Sequence, residues 1–274
     1  MKIYNYKGII LDEVKGVITI RLDLSKIELC KKIIKDKKIN SISINYNPNK
    51  ISDIDFLKDP FFCEINSIHV TSKYITNVEG LYSLKKLERL SINDIGSGLK
   101  IDFNKLTTLK AISFVWSKNF INIDKLVNLE RFVITKYPHK DLLLFSNCKV
   151  LNHLELIESK IVTLEGLGGL NRIVKIQLFY NKNLQSLKGI SKDCDKLTSF
   201  GVYSAPKLYE INAALSHANK LKNIMLSKVK KVDSLKFLDL MLELKDVQIK
   251  SEFIKLADND YKPLERAIRR VEKL

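Results

Sequence analysis

The chain has 274 residues, of which 45% are hydrophobic and 28% charged, with a formal net charge of +16. This composition is typical of a globular protein, and no run of about 18 apolar residues is present to span a membrane. Asp12, Glu13 and Lys15 interrupt the region in which a signal peptide needs an apolar segment. We therefore expect a cytoplasmic protein, with export by a signal-less route left open.

The positive charge is compatible with an acidic protein, nucleic acid or an anionic membrane surface as the partner. Of the 47 basic residues seven are arginine, which leaves 40 lysines dispersed along the chain. Dispersed lysine is typical of a solvated surface, and an AT-rich coding genome would give the same excess of lysine. The charge by itself does not select a partner.

Residues 1–38 are predicted to form an N-terminal cap made of a strand and a helix. Residues 17–24 alternate between apolar and polar like a strand. Ser25 and Glu28 have the spacing of a capping box, which predicts a helix that begins there and ends near Lys38.

Residues 39–250 contain ten short segments with an apolar pair at alternate positions, and the first members of successive pairs are 20 to 26 residues apart. The pairs are Ile42/Ile44, Ile68/Val70, Leu90/Ile92, Ile112/Phe114, Phe132/Ile134, Leu154/Leu156, Ile176/Leu178, Phe200/Val202, Ile224/Leu226 and Val247/Ile249. One such unit cannot bury its apolar side alone, so this period predicts units stacked into a solenoid.

The repeating unit resembles the leucine-rich repeat in its 22-residue bacterial, internalin-like form. One matching segment runs from Ile65 to Leu90 through Ile68, Val70, Ile75, Val78, Leu81, Leu84 and Leu87. The resemblance implies an α/β fold: a curved horseshoe of about ten repeats with a parallel sheet on its concave side, in one continuous domain capped at both ends. The family's asparagine, five residues after the first strand position, remains only at Asn47 and Asn181.

Four cysteines are present, with no CxxC pair and no histidines at zinc spacing, so we predict neither a metal site nor a disulfide framework. Cys148 and Cys194 occupy a position that leucine fills in other repeats. We expect both to be buried as small apolar residues.

Residues 251–274 are predicted to form a C-terminal helical cap. Pro263 can begin a helix in which Leu264, Ile268 and Val271 face inward. Arginines 266, 269 and 270 would then give this cap a basic exterior.

The candidate binding residues are those that alternate with the apolar pairs or follow them directly, because they point out of the predicted concave wall. Several of these positions are apolar or aromatic where polar residues would be the default. The candidate partner-binding residues are Arg89, Val115, Trp116, Arg131, Val133, His153, Glu155, Ile157, Lys175, Phe179, Tyr180, Tyr203 and Met225. Aromatic residues beside charges favour a protein interface, although Trp116 or Phe179 could instead fold back and fill a turn.

The predicted wall carries six cations and four acids across repeats two to ten, which is close to balanced. Nucleic acid would require a continuous basic track. We therefore predict another protein as the partner, with acidic character left open. Nucleic acid or another polyanion, bound through the scattered lysines and the C-terminal arginines, is the alternative.

No catalytic arrangement can be assembled from the sequence. The four histidines fall in different repeats, and no serine–histidine–aspartate set or phosphate-binding loop is present. We expect no enzyme, no cofactor and no metal. Within the family resemblance, neutralising a toxin as an immunity protein, assembling a complex and acting on a host protein as an effector all remain open.

Overall fold

The computed structural model describes residues 1–45, 51–94, 98–254 and 268–273. The chain divides into two compact units, Met1–Leu126 and Val127–Leu274.

The first unit begins with an antiparallel meander of three strands, β1 (Lys2–Tyr6), β2 (Ile9–Val14) and β3 (Val17–Arg21). Two-residue turns join them, and both residues of each turn have positive φ, as in the tight turns that match the twist of a hairpin. The sequence predicts only the third of these strands.

Helix α1 (Ile27–Lys37) follows the meander and places Cys30, Ile33 and Ile34 in the core. The predicted capping box is wrong. Asp23 accepts a hydrogen bond from the Ser25 amide and so caps a short 3₁₀ turn before the helix, while Glu28 forms an ion pair with Lys31.

Four parallel strands then extend the sheet of the first unit, and each lies about one repeat further along the chain than the strand before it. They are β4 (Ser41–Ile44), β5 (Ser67–Thr71), β6 (Arg89–Asn93) and β8 (Ala111–Val115), in the sheet order β1-β2-β3-β4-β5-β6-β8. A second, two-stranded parallel sheet pairs β7 (Ile101–Asp102) with β9 (Phe120–Ile121).

The second unit has a parallel sheet of seven strands in chain order. They are β10 (Arg131–Thr135), β11 (His153–Ile157), β12 (Lys175–Phe179), β13 (Ser199–Ala205), β14 (Asn223–Val232), β15 (Asp246–Ile254) and β16 (Ile268–Lys273). The short helix α2 (Ile211–Leu215) lies between β13 and β14.

Most repeats return through short 3₁₀ helices, which leave room for tight stacking of successive turns. In the first unit these are Asp55–Lys58, Pro60–Glu64, Glu79–Ser83, Phe103–Lys105 and Ile123–Lys125, while Leu24–Lys26 directly precedes α1. In the second unit they are Leu143–Phe145, Leu167–Gly169 and Lys236–Leu240.

The C-terminal segment departs from the predicted helix. Residues 268–273 form strand β16, which pairs in parallel with β15 in a register that begins with Ile268 opposite Asp246. The free edge of β15 offers backbone donors and acceptors that an extended chain can satisfy and a helix cannot. Pro263, Leu264 and Arg266 lie outside the described residues.

The core is built as the repeat predicts. Every residue of the ten apolar pairs is buried, and Cys148 and Cys194 are buried beside them. Among the described residues no helix has the length and apolar character needed to cross a lipid bilayer.

The Asn181 side chain is completely buried in the turn after β12. Its Oδ1 accepts hydrogen bonds from the amide and the hydroxyl of Ser159, and its Nδ2 donates to the carbonyl of Leu156 at 3.1 Å. This asparagine therefore joins two successive turns by satisfying backbone groups of the preceding repeat. Asn47, the other asparagine at this position, lies outside the described residues.

Candidate functional site

The open face of the second unit is the side of its sheet opposite the core, and β10 to β14 supply its side chains. In β10, β11 and β12 the second and fourth residues are buried, while the first, third and fifth are wholly or partly exposed. Because side chains alternate along a strand, the exposed ones share one face.

Hydrogen bonds at both ends of the strands fix their register. At the entry, the Asn152 carbonyl accepts the amides of Val174 and Lys175. At the exit, the amide of Tyr180 donates to the carbonyl of Tyr203 at 2.7 Å. A one-residue slip would move every side chain to the other face, so these bonds determine which residues are presented.

The exit residues have left-handed backbone conformations. The residue after each strand has positive φ at Lys136, Glu158 and Tyr180, with values of 62°, 52° and 57°. Such conformations cost about 1 kcal/mol or more for residues other than glycine. Since lysine, glutamate and tyrosine share this geometry, the turn of the repeat imposes it, and the same turn carries Tyr180 to the edge of the open face.

Three ladders of side chains run across the strands of this face. The first is Arg131, His153, Lys175, Ser199 and Asn223; the second is Val133, Glu155, Gln177, Gly201 and Met225; the third is Thr135, Ile157, Phe179, Tyr203 and Ser227. Directly opposed Cβ atoms in neighbouring strands lie about 5 Å apart. The first ladder is polar, whereas the third is mainly apolar and aromatic, so the face is amphipathic along the strand direction.

The apolar edge forms an aromatic cluster of Phe179, Tyr180 and Tyr203, extended by Ile157. The rings of Tyr180 and Tyr203 meet edge to face with centroids 5.2 Å apart. The Lys228 ammonium lies 5.4 Å from the Tyr203 ring centroid, within cation–π range. Tyr180 is 47% exposed, while Ile157, Phe179 and Tyr203 are half-buried.

The polar edge carries a charge cluster of Arg131, His153 and Glu155. Arg131 Nη1 lies 3.0 Å from His153 Nδ1, and Glu155 Oε2 lies 3.6 Å from both Arg131 Nη2 and His153 Nε2. At 3.6 Å both contacts are longer than hydrogen bonds, and the contact between Arg131 and Glu155 is an ion pair. His153, followed by Arg131 and Lys175, holds the pKa of the Glu155 carboxyl below its ordinary value, although burial acts in the opposite direction.

The structure separates the predicted binding residues into two groups. Arg89, Val115 and Trp116 lie in the first unit. There the ring centroid of Trp116 lies 6.2 Å from that of the buried Phe114. Trp116 thus lies against the core of its own repeat. The remaining predicted residues lie together in the second unit on the open face or, for Tyr180, at its edge.

A cavity of about 700 Å³ lies elsewhere, in the first unit beside the C-terminal end of α1. It is lined by Lys35, Lys38, Lys85, Lys86, Glu64 and Glu88 among others, and by none of the predicted binding residues. Within the described ranges no group of three or more histidine, cysteine, aspartate or glutamate side chains could hold a metal ion.

Part of the lysine excess is used within the fold. Lys86 pairs with Glu64 at 2.6 Å, and Lys222 pairs with Glu243 at 2.9 Å. In each pair the partners belong to neighbouring repeats. Such lysines are opposed by acids and do not form a bare basic track.

Solved structures with a similar fold include bacterial repeat proteins. An internalin from Listeria monocytogenes superposes with a TM-score of 0.56 at 15% identity, over 88% of this chain and 77% of the internalin. A leucine-rich-repeat protein from Leptospira interrogans gives a TM-score of 0.50 at 13% identity, over 89% of this chain and 74% of the other. The chain has the leucine-rich-repeat fold. No family model and no curated protein sequence matches it.

The leucine-rich-repeat alternation is enough to identify the positions on the open face, but two contributors were not among the predicted binding residues. Lys228 completes the aromatic cluster through its contact with Tyr203. Gly201 leaves a gap in the second ladder, over which Met225 and Gln177 lie. Both positions follow from the same alternation, but their contacts depend on side chains from neighbouring strands.

Proposed function

We propose that this leucine-rich-repeat chain is a non-catalytic module that binds another protein on the open face of its second unit. The observation that carries this proposal is the aromatic cluster of Phe179, Tyr180 and Tyr203 beside the charge cluster of Arg131 and Glu155. Partly exposed aromatic residues rimmed by charged groups are the composition of an interface hot spot.

The fold supports the proposal. Leucine-rich-repeat folds generally mediate protein–protein interaction, because stacked repeats create an extended surface on rigid strands. The open face of β10 to β14 spans four strand spacings, or roughly 19 Å, which is large enough to hold the central hot spot of a protein interface. Strand-borne side chains lose little conformational freedom on binding, which favours affinity.

The setting of this binding is also part of the proposal. We place the chain in the cytoplasm of a bacterium, where neutralising a toxin, assembling a complex or acting on a host protein after signal-less export are the roles to distinguish. The identity of the captured partner decides among them.

The test is affinity capture from a lysate of the source organism with the wild-type chain, a Tyr180→Ala/Tyr203→Ala variant and a Tyr209→Ala control. Tyr209 is also an exposed tyrosine of the second unit, but it lies outside β10 to β14. A protein recovered by the wild type and the control, and lost with the double variant, supports the proposal. Equal recovery of protein by all three, or nuclease-sensitive recovery of nucleic acid instead, contradicts it.

A further inference from the structure

The centre of the open face lacks a side chain. Gly201 lies between Gln177 on β12 and Met225 on β14 in the second ladder. The nearest atoms to the point where its Cβ would stand are Met225 Cε at 3.5 Å and Gln177 Nε2 at 3.8 Å. Two flexible, unbranched side chains therefore cover the backbone at this point.

On the open face of β13, the residues two positions before and after Gly201 differ in size. Ser199 lies on the polar side, and Tyr203, in edge-to-face contact with Tyr180, lies on the apolar side. A side chain that displaced Met225 and Gln177 would contact the Tyr203 ring and the methionine. Methionine adapts to irregular apolar neighbours at low cost, which suits it to such a displacement.

The charges around this gap are predominantly positive. At the ladder positions of β10 to β14 and the residues directly after them, the cations are Arg131, Lys136, Lys175 and Lys228, and the acids are Glu155 and Glu158. A partner that approaches this face therefore meets an excess of positive charge. Complementarity requires acids on the partner.

We infer that the partner presents an acidic peptide segment that places one large apolar side chain over Gly201 and its carboxylates near Lys175 and Lys228. This inference rests on the proposed function and specifies the chemistry of the partner. The apolar anchor gains contact with Tyr203 and Met225, and the carboxylates select the segment over neutral or basic ones.

The probe is a phage-displayed library of random peptides, each roughly 12 residues long, selected on the immobilised wild-type chain. We expect enrichment of peptides rich in aspartate and glutamate around one leucine, phenylalanine or tryptophan. Selection of neutral or basic peptides, or of none, overturns the inference.

Two variants test where the selected peptides bind. Gly201→Leu fills the gap and is expected to weaken binding by about tenfold or more, whereas Gly201→Ala, whose Cβ makes only ordinary contacts, changes it much less. Because φ at Gly201 is not positive, both substitutions suit the strand, and thermal melting checks that each variant folds.

Charge reversal gives a second test that does not depend on the glycine. The double substitution Lys175→Glu/Lys228→Glu is expected to weaken the binding of acidic peptides by about tenfold or more. The matched control Lys196→Glu/Lys207→Glu changes net charge equally at exposed lysines outside β10 to β14 and is expected to have a small effect. Equal losses with both pairs would show that only overall charge matters, which overturns the inference.

The two proposals can fail separately. Neutral apolar peptides that no longer bind Tyr180→Ala/Tyr203→Ala would overturn the acidic chemistry and leave the open face as the binding surface. Acidic peptides that bind this double variant as tightly as the wild type would contradict both the inference and the proposed function.

Discussion

Replacing Asn181 by alanine tests how the successive repeats are joined. The side chain has 0% exposure and makes hydrogen bonds to the amide and hydroxyl of Ser159 and to the carbonyl of Leu156. Alanine removes all three bonds and leaves the partners in place. Ser159 is itself 4% exposed, so water has little access to replace the lost bonds.

The expected loss of stability follows from those partners. A buried polar group left without its hydrogen bond costs about 1–3 kcal/mol. The Ser159 amide and the Leu156 carbonyl are fixed by the backbone, while the Ser159 hydroxyl can rotate toward another acceptor. We therefore expect Asn181→Ala to lower the free energy of unfolding by about 3 kcal/mol, which corresponds to a fall in melting temperature of roughly 6–12 °C.

The assay is urea unfolding followed by circular dichroism, with Asn183→Ala as the control. Asn183 is exposed, and its Oδ1 accepts only a 3.3 Å hydrogen bond from the Lys207 ammonium among the described contacts. The control should change stability by less than about 0.5 kcal/mol. A loss below about 1 kcal/mol for Asn181→Ala, or equal losses for both variants, would refute the role of this side chain in joining the turns.

Three further results are expected. His153 lowers the pKa of the Glu155 carboxyl in the folded state, so the carboxylate stabilises the fold above its unfolded pKa, near the ordinary value of 4.5. This contribution is lost as the pH falls through the lower folded pKa. Urea midpoints across acidic pH should therefore fall more steeply for the wild type than for Glu155→Gln, and parallel curves would contradict this. In the same assay, Gly189→Ala should lower the free energy of unfolding by at least about 3 kcal/mol, because Gly189 has φ +119° and an added Cβ would lie 1.9 Å from a carbonyl oxygen. In the control Gly168→Ala, the added Cβ meets nothing closer than 3.7 Å, so its effect on stability should be close to zero. Equal effects of the two substitutions would refute the close approach at Gly189. With a thiol reagent on the native chain, exposed Cys63 should react rapidly and the three buried cysteines slowly, and rapid reaction of all four would contradict the burial of the others.

The strands and the core of the repeats could be predicted because one pattern is repeated many times. Each apolar pair occupies alternate positions, so the period of two identifies the buried face, and the recurrence near 22 residues identifies the stacking. Burial of pairs such as Leu154/Leu156 and Ile176/Leu178 confirms this interpretation.

The two ends of the chain show where local pattern is insufficient. All five residues of β1 are exposed, so this strand has no apolar alternation to reveal it, although the turns at Gly8 and Gly16 are typical of hairpins. At the C-terminus the spacing of Ile268 and Val271 fits a helix, but pairing with β15 draws these residues into a strand. That preference comes from a tertiary neighbour, which overrides the local pattern.

The alternation along the strands predicts which positions share the open face, but it does not predict the contacts between their side chains. Alternation identifies Phe179, Tyr203 and Glu155 as members of one face. It does not reveal that Lys228 stacks on Tyr203, or that Met225 covers Gly201, because both contacts depend on side-chain conformations across neighbouring strands.

Site-specific photo-crosslinking shows whether a protein contacts the open face of the second unit. A benzoyl-phenylalanine residue replaces Tyr203 in one chain and Tyr209 in another, and both are irradiated in lysate of the source organism. We expect a discrete protein adduct from position 203 on the open face and none from position 209. An adduct formed only from position 209, or equally from both positions, would contradict protein binding on the open face of the second unit.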